Sequence, residues 1–180
     1  MTFNQAIRTC FRKYVTFSGR ASRPEYWYFV LFIVIWSVLA AIIDWQFFST
    51  VTRIEAEGAS ATLATSPQPV GSIVALIVFL PHLAVAWRRM HDTGRSGFFV
   101  LLPLILMASA FAVLIFGIGT AGLFAHGGGL DLFFTRATAL ILIPTLIVLT
   151  ISPLLVLWWL ARPGQPGPNA YGPNPSEVSQ

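Results

Sequence analysis

The stretch from Tyr26 to Gln46 is apolar except for Ser37 and Asp44. An α-helix rises about 1.5 Å per residue, so this stretch would reach about 31 Å. That length crosses the hydrocarbon core of a bilayer. Aromatic residues stand at both ends, where aromatic belts form at membrane interfaces. The stretch is therefore predicted to be a transmembrane helix.

Three more apolar stretches follow, at about residues 70–87, 98–117 and 137–160. Only 10% of the residues are charged, whereas soluble domains carry about 25%. The predicted fold class is an all-α membrane protein, a four-helix transmembrane bundle over residues 25–161. Pro81, inside the second stretch, predicts a kink there.

Residues 1–24 precede the first span and carry a different helical pattern. Apolar residues recur from Phe3 to Phe17 at spacings of three and four, with basic residues on the opposite face. Such a helix is too polar to span a membrane but suits the headgroup layer. We predict an N-terminal amphipathic interfacial helix. A compatible alternative is a helix packed on the protein's own cytoplasmic surface.

Local signals also mark the segments between the spans. Ser22 and Glu25 have the spacing of a capping box, so the first span is expected to begin there. We predict a flexible outer loop at residues 48–69 and another loop at residues 125–136. Residues 162–180 form a Pro- and Gly-rich tail that is not expected to be helical.

A polar decapeptide, Arg88 to Gly97, separates the second and third spans. It is predicted to be a short loop in which Gly94 turns the backbone and Ser96 caps the next helix. Three arginines, a histidine and an aspartate give it the highest density of charge in the chain. It is therefore the first place to look for a site.

The placement of the basic residues predicts the orientation. Of the 11 lysines and arginines, only Arg53 and Arg136 lie on the side opposite the decapeptide. The positive-inside rule then puts both termini in the cytoplasm. Membrane topology accounts for the excess of basic residues on one side of the spans, so no nucleic-acid partner is expected. Cys10, the single cysteine, excludes an internal disulfide and should be shielded from a membrane-impermeant maleimide in intact cells.

Three motifs on this cytoplasmic side occur in a recognisable order and spacing. They are FSGRASRPEYW at residues 17–27, LP at 80–81 followed by RRMHDTGRSGF at 88–98, and GPNAYGPNP at 167–175. Together they resemble the bacterial inner-membrane family known as domain of unknown function 805, the YhaH-like proteins, with Met90 in place of the usual leucine. The resemblance implies a multi-pass protein of the bacterial inner (plasma) membrane and supplies no activity.

Five arginines could converge on the cytoplasmic side and bind an anionic lipid or another phosphate-bearing ligand, because guanidinium forks bind phosphate in a bidentate manner. The plainer explanation is topology control with ordinary headgroup contact. The candidate residues are Arg20, Arg23, Arg88, Arg89 and Arg95.

The other polar residues predict a structural clasp. Glu25 and Asp92 can pair with arginines, or Asp92 with His91, while Ser22 and Ser96 cap helices. Catalysis by His91 and Asp92 is disfavoured, because adjacent residues seldom point at each other and no nucleophile stands beside them. No catalytic residue is assigned.

His82 lies inside a span, where ionisable residues are functional candidates by default. Bonding to backbone or to a neighbouring helix explains it equally well. No metal site and no cofactor are predicted, because histidines and cysteines do not cluster.

The leading functional hypothesis is therefore a non-enzymatic membrane protein, structural or regulatory, that contacts anionic lipid, a membrane-protein partner or further copies of itself. A small oligomeric transporter or channel is the first alternative, since proline kinks could make helices mobile. A membrane enzyme of lipid or phosphate chemistry is the second alternative.

Overall fold

The computed structural model describes the backbone of residues 1–56, 59–124 and 130–177, and the side chains of these residues except 51–64, 113–114, 116–139 and 141–142. A short 3₁₀ helix, Gly97–Leu101, lies between the third and fourth α-helices. The α-helices and strands are, in chain order, α1 Phe3–Arg12, α2 Arg23–Phe48, β1 Thr50–Ala56, β2 Ala59–Thr65, α3 Pro69–Asp92, α4 Leu102–Phe124 and α5 Leu130–Ala161.

Within the described residues, three helical segments are long and apolar enough to cross a membrane: α2, α3 and the Ile143–Ala161 part of α5. Large apolar side chains on their outer faces are exposed, as expected for contact with lipid. The described apolar part of the third predicted span, Gly97–Ala112, is shorter. The protein is thus a helical membrane protein with three candidate spans, and the fourth stays a prediction.

Helix α1 packs against α2 through its apolar face. Thr2 and Gln5 form a capping box at its start. Ala6 and Cys10 are buried, and the Phe11 ring makes edge contacts with Phe29 and Phe32 at centroid distances of 5.7 and 5.8 Å. These contacts agree with the alternative prediction, in which this helix packs on the protein's own surface. The exposed residues Asn4, Arg8, Arg12 and Lys13 lie on the opposite face.

The prediction of a loop throughout Arg88–Gly97 is wrong for its first half. Helix α3 continues to Asp92, and the chain reverses only after it. Gly94 has φ +76°, and the Arg95 amide donates to the Met90 carbonyl at 3.0 Å. This is the Schellman arrangement, in which a left-handed glycine ends a helix. The helix persists because the side chains before Gly94 have partners inside the protein.

The connection between α2 and α3 also differs from prediction. Residues 48–69 were predicted to form a flexible loop, but β1 and β2 pair as an antiparallel hairpin, from Thr50 opposite Thr65 to Ala56 opposite Ala59. Threonine, valine and isoleucine in these strands favour extended backbone. In the next predicted loop, residues 130–136 belong to α5. Residues 125–129, with the three glycines, lie outside the described part of the chain.

Asp44 joins the C-terminal end of α2 to the N-terminal end of α3. Asp44 is 1% exposed, and its carboxylate accepts hydrogen bonds from the amides of Val70, at 3.0 Å, and Gly71, at 2.8 Å. Free amides and the positive end of the helix dipole make a helix N-terminus a good site for a carboxylate. An acidic residue inside an apolar span therefore caps the neighbouring helix.

Pro81 leaves one carbonyl of α3 without its helical partner. Proline has no amide hydrogen, so the carbonyl four residues earlier, that of Ile77, loses its usual donor. The Tyr14 hydroxyl donates to this carbonyl at 2.8 Å. The segment that follows α1 thus fills a defect in α3.

Tyr14→Phe should lower the free energy of unfolding by about 1 kcal/mol, the net value of one hydrogen bond. In a Pro81→Ala background the same substitution should cost less, because the new amide can bond Ile77. Thermal unfolding of the four purified proteins in detergent measures this coupling. Equal losses in both backgrounds would contradict a role for Tyr14 at the proline.

Candidate functional site

One end of the helical assembly holds a buried cluster of charges, which we call the arginine clasp: Arg20, Glu25, Arg88, Arg89 and Asp92. Its members come from the segment before α2, the first turn of α2 and the last turn of α3. Arg88 and Arg89 are 0% exposed and Arg20 is 6% exposed. Buried charges are costly unless they are paired, so the positions of their partners define the site.

Glu25 pairs with Arg88. The Arg88 Nη1 lies 2.6 Å from the Glu25 Oε1, between residues 63 positions apart. Next to this pair, the Ala21 amide donates to the Arg88 carbonyl at 3.1 Å. The start of α2 is thus fixed to the end of α3 by both side chain and backbone.

Ser22 caps α2 by accepting a hydrogen bond from the Glu25 amide at 3.4 Å. In a complete capping box, Glu25 would bond back to the Ser22 amide. Its carboxylate is instead directed to Arg88. The spacing predicted the helix start correctly, but the Glu25 carboxylate pairs with the distant Arg88 and does not complete the capping box.

Asp92 is shared by two arginines. Its Oδ1 lies 2.9 Å from Arg20, and its Oδ2 is bound by Arg89. Arg20 precedes α2, whereas Arg89 is one turn from Asp92 on α3. The triad therefore ties the two segments a second time, with two positive charges on one carboxylate.

Arg89 and Arg23 donate to backbone carbonyls at the end of α5, whereas the Nε and Nη2 of Arg88 are buried without a hydrogen-bond partner among the described residues. Arg89 donates from Nε to the Leu160 carbonyl at 3.0 Å and from Nη2 to the Arg162 carbonyl. Arg23 donates to the Ala161 carbonyl at 2.9 Å. The last carbonyls of a helix lack intrahelical donors, and cations there also oppose the helix dipole. The arginines thus cap α5 from outside.

The tail after α5 docks on the clasp. Arg20 donates to the carbonyls of Gln165 at 2.6 Å and Gly167 at 2.7 Å. The Gln165 amide donates to the Asp92 carbonyl at 2.8 Å. A Cβ on Gly164 would collide with the Asp92 carboxylate. The tail is non-helical as predicted, but sequence reasoning missed its docking.

His91 belongs to the contact between the clasp and the tail. Its ring stacks on Tyr171 with centroids 3.8 Å apart, and its Nδ1 lies 3.1 Å from the Gly19 carbonyl. The Asn169 side chain donates to the His91 carbonyl at 2.9 Å. The carboxylate of Asp92 is bound by arginines, so the structure does not bring His91 and Asp92 together as an acid–base pair.

Three other predicted residues lie outside the clasp. His82 is half-buried and stacks on Tyr26 with centroids 6.1 Å apart. Ser96 caps the 3₁₀ helix by accepting from the Phe98 amide at 3.4 Å. Arg95 lies over Trp159, 5.0 Å from the ring centroid. Among the described residues, no group of three potential metal ligands occurs.

Cys10 is buried beside the clasp. Its thiol is directed to the Glu25 carbonyl, with a sulfur–oxygen distance of 4.0 Å. Burial, helped by the negative charge of Glu25, raises the pKa of the Cys10 thiol to about 12. The thiol is therefore shielded from labels by the protein itself, so its protection from a maleimide does not report on membrane orientation.

The fold and the site define a class: a helical membrane protein whose helix ends are joined by buried ion pairs and covered by an ordered tail. No solved structure matches this chain. Residues 14–173 match the family described as "Protein of unknown function (DUF805)". The chain belongs to this family, which confirms the resemblance of its motifs.

Two relatives show how far the similarity extends. The inner membrane protein YhaH of Escherichia coli (strain K12) is 36% identical over 117 residues, covering 62% of this chain and 84% of YhaH. The inner membrane protein YhaI of the same strain is 36% identical over 118 residues, covering 64% of this chain and 86% of YhaI.

The pKa of Cys10 predicts its reactivity. Only the thiolate reacts, and with a pKa of about 12 its fraction at pH 8 is roughly 10⁻⁴. Cys10 in the purified, folded protein should therefore alkylate far more slowly than a cysteine introduced at the 63%-exposed Val15. The rate should rise with pH and become ordinary after denaturation. Similar rates for both cysteines at pH 8 would contradict the burial.

Proposed function

We propose that this chain is a non-enzymatic, structural or regulatory protein of the bacterial inner membrane. It crosses the membrane four times, with both termini and the arginine clasp in the cytoplasm. The observation that carries the proposal is the docking of the tail on the clasp, because it makes this end of the protein one ordered surface. Such a surface suits recognition of membrane lipid or of a protein partner better than chemistry.

The polar groups of the clasp support a structural role. Glu25 and Asp92 are both bound by arginines, and these arginines are buried. A buried ion pair leaves its charges unavailable to a substrate unless the pair is broken, which is costly. His91, the neighbour of Asp92 in the chain, is stacked on Tyr171. The pairing therefore favours a hub that holds helix ends together over a membrane enzyme.

A transporter would need helices that move, and the transporter hypothesis rested on the proline kinks predicted in the spans. At Pro81 the carbonyl freed by the proline, that of Ile77, is held by Tyr14. Both ends of the α2–α3 pair are also fixed, by Asp44 at one end and by Glu25 at the other. These contacts favour a rigid pair over a gate.

The charges support the proposed orientation. Arg8, Arg12 and Lys13 form the exposed face of α1, near the same end of the molecule as the clasp. An anionic cytoplasmic leaflet attracts such a face. The hairpin of β1 and β2 lies at the other end, beyond Asp44, and would then be periplasmic.

Reporter cysteines at Val15 and Thr65 test this orientation in a Cys10→Ala background. Both positions are exposed, and they lie at opposite ends of α2 and α3. A membrane-impermeant maleimide should label Val15→Cys in inverted inner-membrane vesicles and Thr65→Cys in spheroplasts. Each variant serves as the matched control for the other. Labelling of Val15→Cys in intact spheroplasts would refute the proposed orientation.

A further inference from the structure

Two arginines beside the clasp, Arg95 and Arg162, make few hydrogen bonds to the protein. Arg95 makes one hydrogen bond, from Nη1 to the Thr93 carbonyl at 3.3 Å. The guanidinium of Arg162 lies over Trp158, 4.5 Å from the ring centroid. Among the described residues, no carboxylate lies within ion-pair distance of either guanidinium. Neither positive charge is therefore neutralised by a carboxylate.

The two arginines line one cavity of about 340 Å³ between the turn after α3 and the start of the tail. This volume is in the range of small-molecule sites. The remaining lining residues are small or uncharged: Thr93, Pro163, Gly164, Gln165 and Pro166. The cavity thus combines two cations with no anion to neutralise them.

Both guanidiniums rest on indole faces, Arg95 on Trp159 and Arg162 on Trp158. Stacking holds a guanidinium by its face and leaves the N–H donors at its edge free for an oxygen ligand. Planar, bidentate donors of this kind match the oxygens of a phosphate. The cavity is therefore suited to a phosphate group.

Aromatic side chains lie beside the two arginines that line the cavity. Trp158, under Arg162, is 53% exposed, and the Phe99 ring packs against Trp159 with centroids 5.3 Å apart. Both tryptophans stand in the last turn of a candidate span, at the level where aromatic belts meet the headgroups. A ligand here would meet cations at one end and an apolar surface at the other, as a phospholipid does.

We propose that Arg95 and Arg162 bind the phosphate of an anionic phospholipid headgroup, with the acyl chains against the aromatic residues beside them. This rests on the proposed function and deepens it by naming the partner. It also relocates the site, because the clasp arginines are buried, whereas Arg95 and Arg162 line an open cavity. Net negative lipid is favoured, because a zwitterionic headgroup would bring its own positive charge next to the two guanidiniums.

Titration of the purified, delipidated full-length protein with short-chain phosphatidylglycerol tests the proposal, with thermal unfolding as the readout. Arg95→Gln with Arg162→Gln should weaken the apparent affinity about tenfold or more, as for loss of charge-assisted hydrogen bonds. Arg53→Gln with Arg136→Gln, in β1 and in the first part of α5, removes the same charge elsewhere and should change it little.

Two outcomes would overturn the lipid assignment. The first is equal weakening in both double variants, which would mean that net charge alone attracts the lipid. The second is stabilisation by inorganic phosphate that requires Arg95 and Arg162, without stabilisation by phosphatidylglycerol, which would assign the cavity to a soluble phosphate. Circular dichroism of each variant establishes that it is folded. Orientation does not enter this experiment, so its failure is distinct from failure of the cysteine labelling.

Discussion

The buried triad of Asp92 with Arg20 and Arg89 is the interaction on which the rest of this end of the protein depends. Removing two guanidiniums and a carboxylate from water is costly, and only complete pairing with further hydrogen bonds offsets it. The extra donors reach carbonyls of α5 and of the tail. Each partner in the triad supplies hydrogen bonds that the others need. The triad therefore fixes four parts of the chain together: the end of α3, the end of α5, the segment before α2 and the tail.

The same principle operates at the other end of the α2–α3 pair. Between lipid-facing helices there is little hydrophobic driving force, so polar contacts and close packing set which helices associate. Glu25 binds Arg88 at one end, and Asp44 caps α3 at the other. The two carboxylates are 19 positions apart along α2, or about 28 Å, close to the thickness of the hydrocarbon core. The two polar contacts therefore hold the pair near the two faces of the bilayer.

Sequence reasoning was most successful where the signal is local. Hydropathy and the Ser22 cap located α2 to within a few residues, because length and capping depend on neighbouring residues. It failed where contacts between distant segments of the chain determine the structure. Nothing near Asp44 shows that α3 begins beside it, and nothing in the proline-rich tail shows that Arg20 holds it. Arg88–Asp92 look like a loop by polarity and are helical because their charges are paired inside the protein.

Amide hydrogen exchange of the Asp92→Asn variant tests the central claim most directly. If the triad fixes this end of the protein, exchange should accelerate at Gln165 and at the tail residues near Arg20. The Val70 and Gly71 amides, bound by Asp44 at the opposite end, should stay protected and show that the helices remain folded. Unchanged protection of the tail in this variant would contradict the account.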